Sequence, residues 1–512
     1  MTTTVGEGAR EYAVPAASPG VGEFASLEPG YDLVMVYAEV SSDLETPISA
    51  FMKLRDGGPC FLLESAESDQ MWGRYSFLGF DPGELASIRD GALTVSRPGA
   101  GTAERRAGDP VRALFEMVES RRVHRPADVM PFAGGAVGYF GYDALPYLEK
   151  VTLTHGSAGI PETMFMFPRK IVMFDHLRSR MRLCAIVEPG ESPSERAEAY
   201  ARATAAIASM VEKLAGGLPE GSRLELGRVD NGDDFEGVES NVSRPVYEGM
   251  VERAREYIFA GDAFQVVVSQ KFSMPFSGDP LSIYRQLRAE NPSPYMFHLE
   301  LPGVTLVGSS PESMVTNRGG TGVIRPIAGT RPRGADAAED ERLAAELAAD
   351  EKERAEHIML VDLARNDLGR VSRPGTVRVS RLMEIERYSH VMHMVSEVEG
   401  SLDGVGNHAL LRASFPAGTV IGAPKVRASE IIDELEPDAR GAYAGAIGYV
   451  SYSGDMDTCI AIRTVVLREG RATVQAGGGI VADSVPALEY QESRNKARAV
   501  VRAVRAASGE AP

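Results

Sequence analysis

An acidic, turn-rich stretch at residues 216–243 separates two parts of the chain that both carry helix and strand patterns. The stretch is aperiodic and includes Asp-Asn-Gly-Asp-Asp, so it is predicted to be a linker. The chain has 512 residues, more than one hydrophobic core usually supports. We therefore expect two lobes, 31–215 and 244–506, with flexible tails at 1–30 and 507–512.

Both parts alternate short apolar runs with amphipathic segments, a pattern that predicts an α+β fold. Thr46-Pro47 and Asp109-Pro110 each place a capping side chain before a proline, so each is predicted to begin a helix. Longer predicted elements are two strands within 171–187, a strand at 458–467, and helices at 193–214 and 338–363. The sequence at 135–142 is echoed at 445–452, either as equivalent strands of two packed sheets or by chance.

The formal net charge of -18 limits the class of partner that the protein binds. Long-range repulsion opposes nucleic acid and anionic membranes, so we expect neither as a partner. A site for an anionic substrate must then draw positive charge from a metal or a few basic side chains. The sequence has no apolar run of 18 residues and no signal-peptide pattern, which predicts a cytoplasmic protein. The separated residues Cys60, Cys184 and Cys459 are predicted to be buried thiols in a reducing compartment.

Two segments carry glutamates three positions apart. Glu353 and Glu356 lie in DEKERAEH, and Glu489 and Glu492 lie in LEYQES, so on helices each pair would share one face. Lys496 follows Glu492 by one helical turn. Together, two acidic faces can hold a hard cation such as Mg²⁺ and leave positions for substrate oxygens. Either segment alone is more typical of a solvated, charged helix.

Other candidate segments combine glycine with hydroxyl or cationic side chains. The glycines at 477–479 follow a predicted strand at 472–475, where they form either a flexible turn or a backbone cradle for a carboxylate. The segments 325–332 and 418–425 each place a glycine turn beside a threonine and basic residues, and arginine is well suited to binding a carboxylate. Arg463 ends an apolar run, which is uncommon unless the charge is paired or contacts a ligand.

Five motifs occur in the order and approximate spacing found in chorismate-utilising enzymes: PIAGT, DEKERAEH…MLVDLARNDLGRV, GTVIGAPK, DTCIAIRT and GGGIVADSVPALEYQESRNKA. The chain resembles this family strongly over 244–506 and more weakly upstream. The resemblance implies a two-lobed α+β fold whose antiparallel β-sandwich core is flanked by helices. It also implies Mg²⁺ at a carboxylate of the substrate, chorismate, which would supply the positive charge required above.

The resemblance also implies roles for individual residues. The Mg²⁺ ligands would be Glu356 and Glu492, with Glu353 and Glu489 nearby. The chorismate-binding residues would be Gly329, Thr330, Thr419, Tyr443, Arg463, Gly477, Gly479 and Lys496. The catalytic residues would be Glu312, His393, Gln265 and Glu353, with Glu312 protonating the departing C4 hydroxyl and His393 promoting aromatisation. A histidine among apolar residues is by itself more typical of a core, so the role of His393 depends on the resemblance.

Two positions indicate which reaction of the family to expect. Gln265 stands where isochorismate and salicylate synthases resemble each other in carrying a lysine that activates water. Ala328 stands where aminodeoxychorismate synthases resemble each other in carrying a lysine that attacks C2. With both lysines absent, the resemblance implies amination of C2 by ammonia and loss of pyruvate to give anthranilate. The alternatives are another chorismate-converting reaction, or a non-catalytic sensor of tryptophan or chorismate.

The resemblance implies regulation and a partner as well. Ser65, Pro294, Tyr295 and Met296 match a feedback site for L-tryptophan, an inhibitor whose indole suits an aromatic and a thioether neighbour. None of the cysteines lies in a glycine-flanked nucleophile motif, so ammonia is expected from a separate glutamine amidotransferase subunit. Members of the family usually combine two catalytic and two glutaminase subunits, a heterotetramer.

Overall fold

The structure is a computed structural model that describes residues 15–65, 73–97, 103–106, 108–126, 131–222, 233–388 and 391–508. Parts of the predicted tails (1–14 and 509–512) and of the predicted linker (223–232) lie outside these ranges. The helices are α1 Val21–Ala25, α2 Pro47–Leu54, α3 Pro110–Glu119, α4 Leu145–Leu148, α5 Pro193–Ala215, α6 Arg244–Ala260, α7 Pro280–Glu290, α8 Ala337–Ala349, α9 Glu351–Gly369, α10 Asn407–Ser414, α11 Lys425–Leu435 and α12 Pro486–Ala507.

The strands are β1 Leu33–Ser41, β2 Cys60–Glu64, β3 Tyr75–Arg89, β4 Ala92–Ser96, β5 Ala103–Arg106, β6 Val123–His124, β7 Gly135–Phe140, β8 Thr163–Asp175, β9 Arg180–Val187, β10 Glu239–Ser240, β11 Gln265–Pro275, β12 Tyr295–Leu301, β13 Val304–Ser310, β14 Ser313–Arg318, β15 Thr321–Ile324, β16 Ile327–Pro332, β17 Arg378–Arg387, β18 Val391–Ser401, β19 Gly422–Ala423, β20 Ala446–Ser451, β21 Met456–Ile460, β22 Thr464–Arg468 and β23 Arg471–Ile480. Short 3₁₀ turns occur at Tyr142–Ala144 and Gly418–Val420.

The strands form two largely antiparallel sheets that share β3 and β8. One sheet runs β6-β1-β9-β8-β3-β2-β12-β13-β22-β23-β11, and only the short β1–β6 pair is parallel. The other runs β5-β4-β3-β8-β7-β20-β21-β14-β15-β18. Pro82 faces Pro168 where the two long strands pass from one sheet to the other, and the register shifts there. Proline cannot donate a ladder hydrogen bond, so this pair suits a bend between sheets.

Apolar side chains fill the space between the sheets and both outer faces. Phe61 and Phe297 of the first sheet pack with Tyr139 and Ile447 of the second to form the inner core. The outer face of the first sheet is covered by α2, α5, α7 and α12, and that of the second by α3, α9 and α10. Helices α6 and α11 pack against β11 at the edge of the first sheet. This arrangement confirms the predicted antiparallel sandwich flanked by helices.

The predicted helix starts are confirmed by their caps. The Thr46 side chain accepts a hydrogen bond from the Ser49 N–H at 3.1 Å, and the Ser49 hydroxyl accepts one from the Thr46 N–H at 2.8 Å. The Asp109 side chain accepts from the Arg112 N–H at the start of α3. Such caps satisfy backbone donors that have no partner inside the helix.

Strands from the two predicted lobes pair with each other. Strand β2 pairs with β12, and β7 pairs with β20. Residues 15–30, predicted as tail, include α1, whose Phe24 is buried in the core beneath α5. The predicted boundary therefore divides the sequence but not the sheets, because residues on both sides of it build the same two sheets.

The echoed sequences occupy neighbouring strands of one sheet, and not equivalent places in two packed sheets as one reading expected. Gly138 of β7 lies directly opposite Gly448 of β20, and each is the fourth residue of its repeat. A β-carbon on Gly138 would lie 2.0 Å from the Met164 carbonyl oxygen. The two glycines therefore permit close strand packing.

Three predicted elements differ in a way that shapes the site. The expected helix over 338–363 is two helices, because the Asp350 side chain accepts from the Lys352 and Glu353 N–H groups and begins α9. The expected strand over 458–467 breaks before Arg463, which takes a left-handed conformation with φ 49°. The glycines at 477–479 lie inside β23, paired to β11, and not in a turn.

Candidate active site

The predicted catalytic residues converge where several elements end beside one another. Glu312 follows β13, Thr419 lies in the 3₁₀ turn at Gly418–Val420, and Arg463 lies in the break between β21 and β22. Hydrogen bonds join these segments: the Ser309 N–H donates to the Arg463 carbonyl at 3.2 Å, and the Ile460 N–H donates to the Glu312 carbonyl at 3.0 Å. The sheet register thus gathers residues that are about 100 to 150 positions apart in the sequence.

Glu312 has the properties of a carboxylic acid that stays protonated. The desolvation of its carboxyl group raises the pKa of Glu312 to about 8, although the Thr419 hydroxyl donates to it at 3.1 Å and Lys496 and Arg463 lie in electrostatic range. Desolvation disfavours the charged form of an acid. Glu312 can therefore donate a proton near neutral pH.

Arg463 is the predicted cation of the site. Burial lowers the pKa of its guanidinium, while Glu312 counteracts that effect. An arginine remains charged even so, and it can bind a carboxylate through two parallel hydrogen bonds. The left-handed backbone at Arg463 is unfavourable for a side chain of this size and accompanies the strand break that brings it to Glu312.

His393 lies on β18, opposite Thr330 of β16. Its Nδ1 is 3.1 Å from the Gly329 carbonyl oxygen and 3.0 Å from the Thr330 hydroxyl. Because a carbonyl only accepts, we assign the ring proton to Nδ1, which leaves a lone pair on Nε2. Burial lowers the pKa of His393, so the ring is neutral at pH 7 and can accept a proton.

Gly329 is the point at which this part of the site bends. Its φ is 65°, and the β16–β18 register shifts between Ala328 and Thr330, so it forms a β-bulge. A β-carbon on Gly329 would lie 3.1 Å from a Glu353 carboxylate oxygen. The bulge therefore brings the backbone beside α9, where the first pair of glutamates lies.

The strand pair β11–β23 carries Gln265, Gly477 and Gly479. A β-carbon on Gly479 would lie 2.4 Å from Gln265 Nε2, so glycine is what allows the amide to extend across β23. The Lys496 ammonium donates to the Gly477 carbonyl at 3.1 Å and pairs with the Glu492 carboxylate at 2.7 Å. These contacts join β23 to α12 at the predicted substrate site.

The four predicted glutamates lie on α9 and α12 on the same side of the site. Burial raises the pKa of Glu356, and the nearby carboxylates of Glu353 and Glu492 raise it further. Burial and Glu492 likewise raise the pKa of Glu489. Glu356 and Glu492 therefore lie within electrostatic range of each other, as the predicted shared cation requires.

The donor chemistry of this cluster fits a hard divalent cation. Within the described ranges, no three His, Cys, Asp or Glu side chains form a closed metal cage. Mg²⁺ is commonly held by one or two carboxylates, with water and substrate oxygens completing its coordination. One glutamate from each helix would meet that requirement, and an added cation would relieve the repulsion that raises the pKa of Glu356.

Other basic residues singled out in the sequence are bound to internal acids. Arg331 pairs with Glu346, Asp350 and Glu353, and Arg325 pairs with Glu386 and Glu397. Lys425 is paired with Asp367 at 2.7 Å and also donates to the Ser414 carbonyl. These ion pairs agree with a structural role for the three residues, whereas Arg463 and Lys496 lie in electrostatic range of Glu312.

Tyr443 is buried, and burial raises its pKa to about 12. The Arg440 guanidinium lies 5.4 Å from the centre of its ring. Arg440 was missed in the sequence, although its spacing of four from Glu436 is a recognisable signal for an ion pair. The side chains of Arg440 and Glu436 are almost fully buried.

The predicted inhibitor residues lie together at the junction of β2 and β12. The pairing of Glu64 with Met296, extended by one residue, places Ser65 opposite Tyr295, and Pro294 precedes Tyr295. Tyr295 packs toward the inner core, whereas Met296 packs under the outer helices. Successive strand residues point to opposite faces, so Ser65 and Tyr295 share one face and Met296 the other.

The chain belongs to a known enzyme family. The sequence profile of the chorismate binding enzymes matches residues 58–502, which include every residue of the site described above. In the described part of the chain, no helix is both long and apolar enough to cross a membrane. Cys60, Cys184 and Cys459 are buried free thiols, as predicted.

Within this family the chain is similar to anthranilate synthases. It is 47% identical over 468 residues to anthranilate synthase component 1 from Thermus thermophilus, covering 90% of this chain and 96% of that protein. The crystal structure of anthranilate synthase component I from Streptococcus pneumoniae superposes with a TM-score of 0.74 at 36% identity, covering 90% of this chain and 99% of that one. The isochorismate synthase MenF from Escherichia coli shares the fold at 18% identity and a TM-score of 0.67, covering 94% of this chain and 98% of that one.

Proposed function

We propose that the protein catalyses the anthranilate synthase reaction, in which ammonia aminates chorismate at C2 and pyruvate is eliminated. The observation that carries the proposal is Glu312, a carboxyl group with a pKa raised to about 8 beside Thr419 and Arg463. Loss of the C4 hydroxyl needs a proton donor at neutral pH, and few groups other than such an acid supply one. The reaction would be the first step of tryptophan biosynthesis.

The residues of the chain then take complementary roles. Arg463, with Tyr443, would bind the pyruvyl carboxylate of chorismate, and Glu312 would protonate the C4 hydroxyl as it leaves. Gln265 would face the carbon that ammonia attacks. There its amide oxygen can accept a hydrogen bond from the incoming nucleophile. His393, held neutral by burial, would lie near the ring as it becomes aromatic.

The same proposal includes Mg²⁺ as a cofactor, held by Glu356 and Glu492 with Glu353 and Glu489 nearby. Bound there, the ion would neutralise a substrate carboxylate. The carboxylates of Glu353 and Glu492 raise the pKa of Glu356, and this repulsion supports a cation at this place. Gly329 and Thr330 would contact the substrate beside Glu353, and Gly477, Gly479 and Lys496 would do so beside Glu492.

The choice of ammonia over water depends on Gln265 and Ala328. An amide does not deprotonate water, and alanine cannot form a bond to C2. The fold alone does not separate these reactions, because an isochorismate synthase shares it. The similarity to proteins named anthranilate synthase component 1 supports amination.

We further propose a glutamine amidotransferase subunit as the source of ammonia, and L-tryptophan as a feedback inhibitor. The word component in the names of the relatives supports a second subunit. Ser65, Pro294 and Tyr295 meet at one junction of strands, which supports a small-molecule site there. The heterotetrameric assembly and the cytoplasmic location of the complex stay predictions.

A fluorescence assay for anthranilate tests the reaction. With chorismate, Mg²⁺ and ammonium, the purified chain should form a fluorescent product identical to anthranilate; with glutamine it should do so only after the partner subunit is added. Isochorismate or aminodeoxychorismate in place of anthranilate would contradict the proposal. No product at all would favour a non-catalytic sensor.

A pair of substitutions on α9 tests the metal site. Glu356→Gln should lower turnover at least about 100-fold and raise the Mg²⁺ concentration needed for half activity, because a metal ligand is lost. Asp362→Asn removes an exposed ion pair with Arg365 on the same helix and serves as the control. Equal activity of the two variants would refute the role of Glu356.

A further inference from the structure

A buried ion pair joins Glu436, the residue directly after α11, to Arg440. The Arg440 guanidinium donates to the two Glu436 carboxylate oxygens at 2.9 and 2.6 Å. Their side chains retain only 3% and 1% of their exposed surface. Breaking a buried pair costs much, but an apolar replacement of both partners often costs nothing, so such a pair is weak evidence for stability alone.

The pair also binds two separate backbone segments, the 3₁₀ turn at Gly418–Val420 and strand β11. Arg440 donates to the Val420 carbonyl at 2.9 Å and to the Val267 carbonyl at 2.7 Å. Glu436 accepts from the backbone N–H and the hydroxyl of Ser269, at 2.8 and 2.7 Å. Only a planar guanidinium presents enough fixed donors for four oxygens at once.

Each of these contacts lies one step from a residue of the active site. Val420 follows Thr419, whose hydroxyl binds Glu312. Val267 and Ser269 lie opposite Gly479 and Gly477 in the β11–β23 ladder. The Gln475 amide donates to the same Ser269 hydroxyl and so joins β23 to this network.

The loop that follows Arg440 is fixed in the same place. Gly441 has a φ of 64°, and its N–H donates to the Asp143 carboxylate at 3.1 Å. Asp143 comes from the first part of the chain, just after β7. Tyr443 is two residues further on, with Arg440 beside its ring.

We infer that Glu436 and Arg440 are positioning residues that hold Thr419, Tyr443 and the β11–β23 strands in the geometry that the reaction needs. They touch none of the reacting atoms and act through the segments that they bind. The inference deepens the proposed function and depends on it. A displacement of about 1 Å in such a site can lower the rate about 100-fold.

Arg440→Lys tests the inference, because lysine keeps the charge but not the fork of donors. We expect kcat for anthranilate formation to fall 10- to 100-fold, with a smaller change in KM and in the Mg²⁺ requirement, since the pair binds Val420 and β11, and α9 carries Glu356. The alkaline limb of the pH profile should move to higher pH, because a displaced Thr419 no longer lowers the pKa of Glu312. Arg74→Lys is the matched control: Arg74 also binds a buried acid, Asp175, with two bonds at 3.0 and 2.7 Å.

Thermal unfolding of both variants separates positioning from stability. The inference requires Arg440→Lys to lose activity at temperatures where it is fully folded, while Arg74→Lys keeps activity within twofold of the parent. It is overturned if Arg440→Lys keeps parental kcat and pH profile, or loses activity only as it unfolds. If Arg440→Lys does not fold, Glu436→Gln, of nearly equal volume, is judged by the same criteria. A parent chain that forms no anthranilate would instead count against the proposed function.

Discussion

The Thr419 hydroxyl donates to Glu312 Oε1 over 3.1 Å, and it joins a 3₁₀ turn to the end of a strand 107 positions earlier. The bond fixes the direction of the carboxyl group and favours its charged form. Burial acts the other way and dominates, so the pKa of Glu312 lies near 8. Burial therefore opposes the Thr419 bond and the nearby cations Lys496 and Arg463, and the bond can be altered without changing the others.

Removal of that hydroxyl should shift the pH dependence of activity. In the parent, kcat/KM should fall above about pH 8 as Glu312 loses its proton. Thr419→Val should move this limb to higher pH and lower the maximal rate several-fold, because the bond that favours the carboxylate is gone. Thr204→Val, on the distant helix α5, is the control. An unmoved limb would show that another group controls the profile.

Glu312 should also make the stability of the protein depend on pH. Because its folded pKa lies above the ordinary value of 4.5, the folded state keeps a proton that the unfolded state releases. Stability is therefore lost as pH rises from about 4.5 to 8, and the loss is constant above that range. Glu312→Gln cannot ionise, so it should be more stable than the parent at pH 9, by on the order of 2 kcal/mol, and similar at pH 4. Urea unfolding at both pH values measures the difference, and an equal effect at both would contradict it.

Local patterns in the sequence predict which residues share a helix face, but they do not predict how the backbone brings separate faces together. Glu353 and Glu356, or Glu489 and Glu492, share a face because of helix geometry alone, which is a local property. Nothing local shows that α9 and α12 face each other, since both sheets are needed to bring them together; only the family resemblance indicated it.

The breaks at Asp350 and Arg463 were missed because each interrupts a segment whose hydrophobic period continues across it. The Asp350 side chain accepts hydrogen bonds from backbone N–H groups and so competes with the backbone carbonyls of a continuous helix. The ion pairs of Arg331 and Lys425 could not be predicted either, since acidic partners such as Asp367 approach them only in the folded chain. Spacing of four between Glu436 and Arg440 was visible, but their contacts to β11 were not.

Gly478→Ala should test the contact between β23 and the acidic face of α12. A β-carbon at position 478 would lie 2.8 Å from a Glu489 carboxylate oxygen and 3.7 Å from one of Glu492. Because that end of the side chain can move, the protein should fold and bind Mg²⁺ more weakly, with the half-activating concentration raised about tenfold. Gly249→Ala, where the added carbon meets no atom within 4 Å, is the control. An unchanged Mg²⁺ dependence would exclude Glu489 from the neighbourhood of the ion.

Ser65→Phe should relieve inhibition by tryptophan without loss of activity. Ser65 directly follows β2, opposite Tyr295, and a phenyl ring there would occupy the space in which an indole is proposed to bind. The concentration of L-tryptophan for half inhibition should rise at least about tenfold, whereas Ser65→Ala, which leaves the space open, should change it less. Inhibition curves with ammonium as the nitrogen source measure this. Full sensitivity of Ser65→Phe would place the inhibitor elsewhere.

Gly138→Ala should destabilise the fold where the two parts of the chain meet. The added β-carbon would lie 2.0 Å from the Met164 carbonyl oxygen and 2.7 Å from the Phe165 α-carbon, and neither backbone atom can move without separating β7 from β8. We expect a loss of about 3 kcal/mol in the free energy of unfolding. Gly249→Ala, inside helix α6, should instead gain about 0.5 to 1 kcal/mol, because alanine favours a helix and restricts the unfolded chain. Urea unfolding of both variants makes the comparison. If Gly138→Ala were as stable as the parent, the close approach of β7 to β8 would need another explanation. The same would hold for the position of β20, which pairs with β7, and of its neighbour β21 behind the active site.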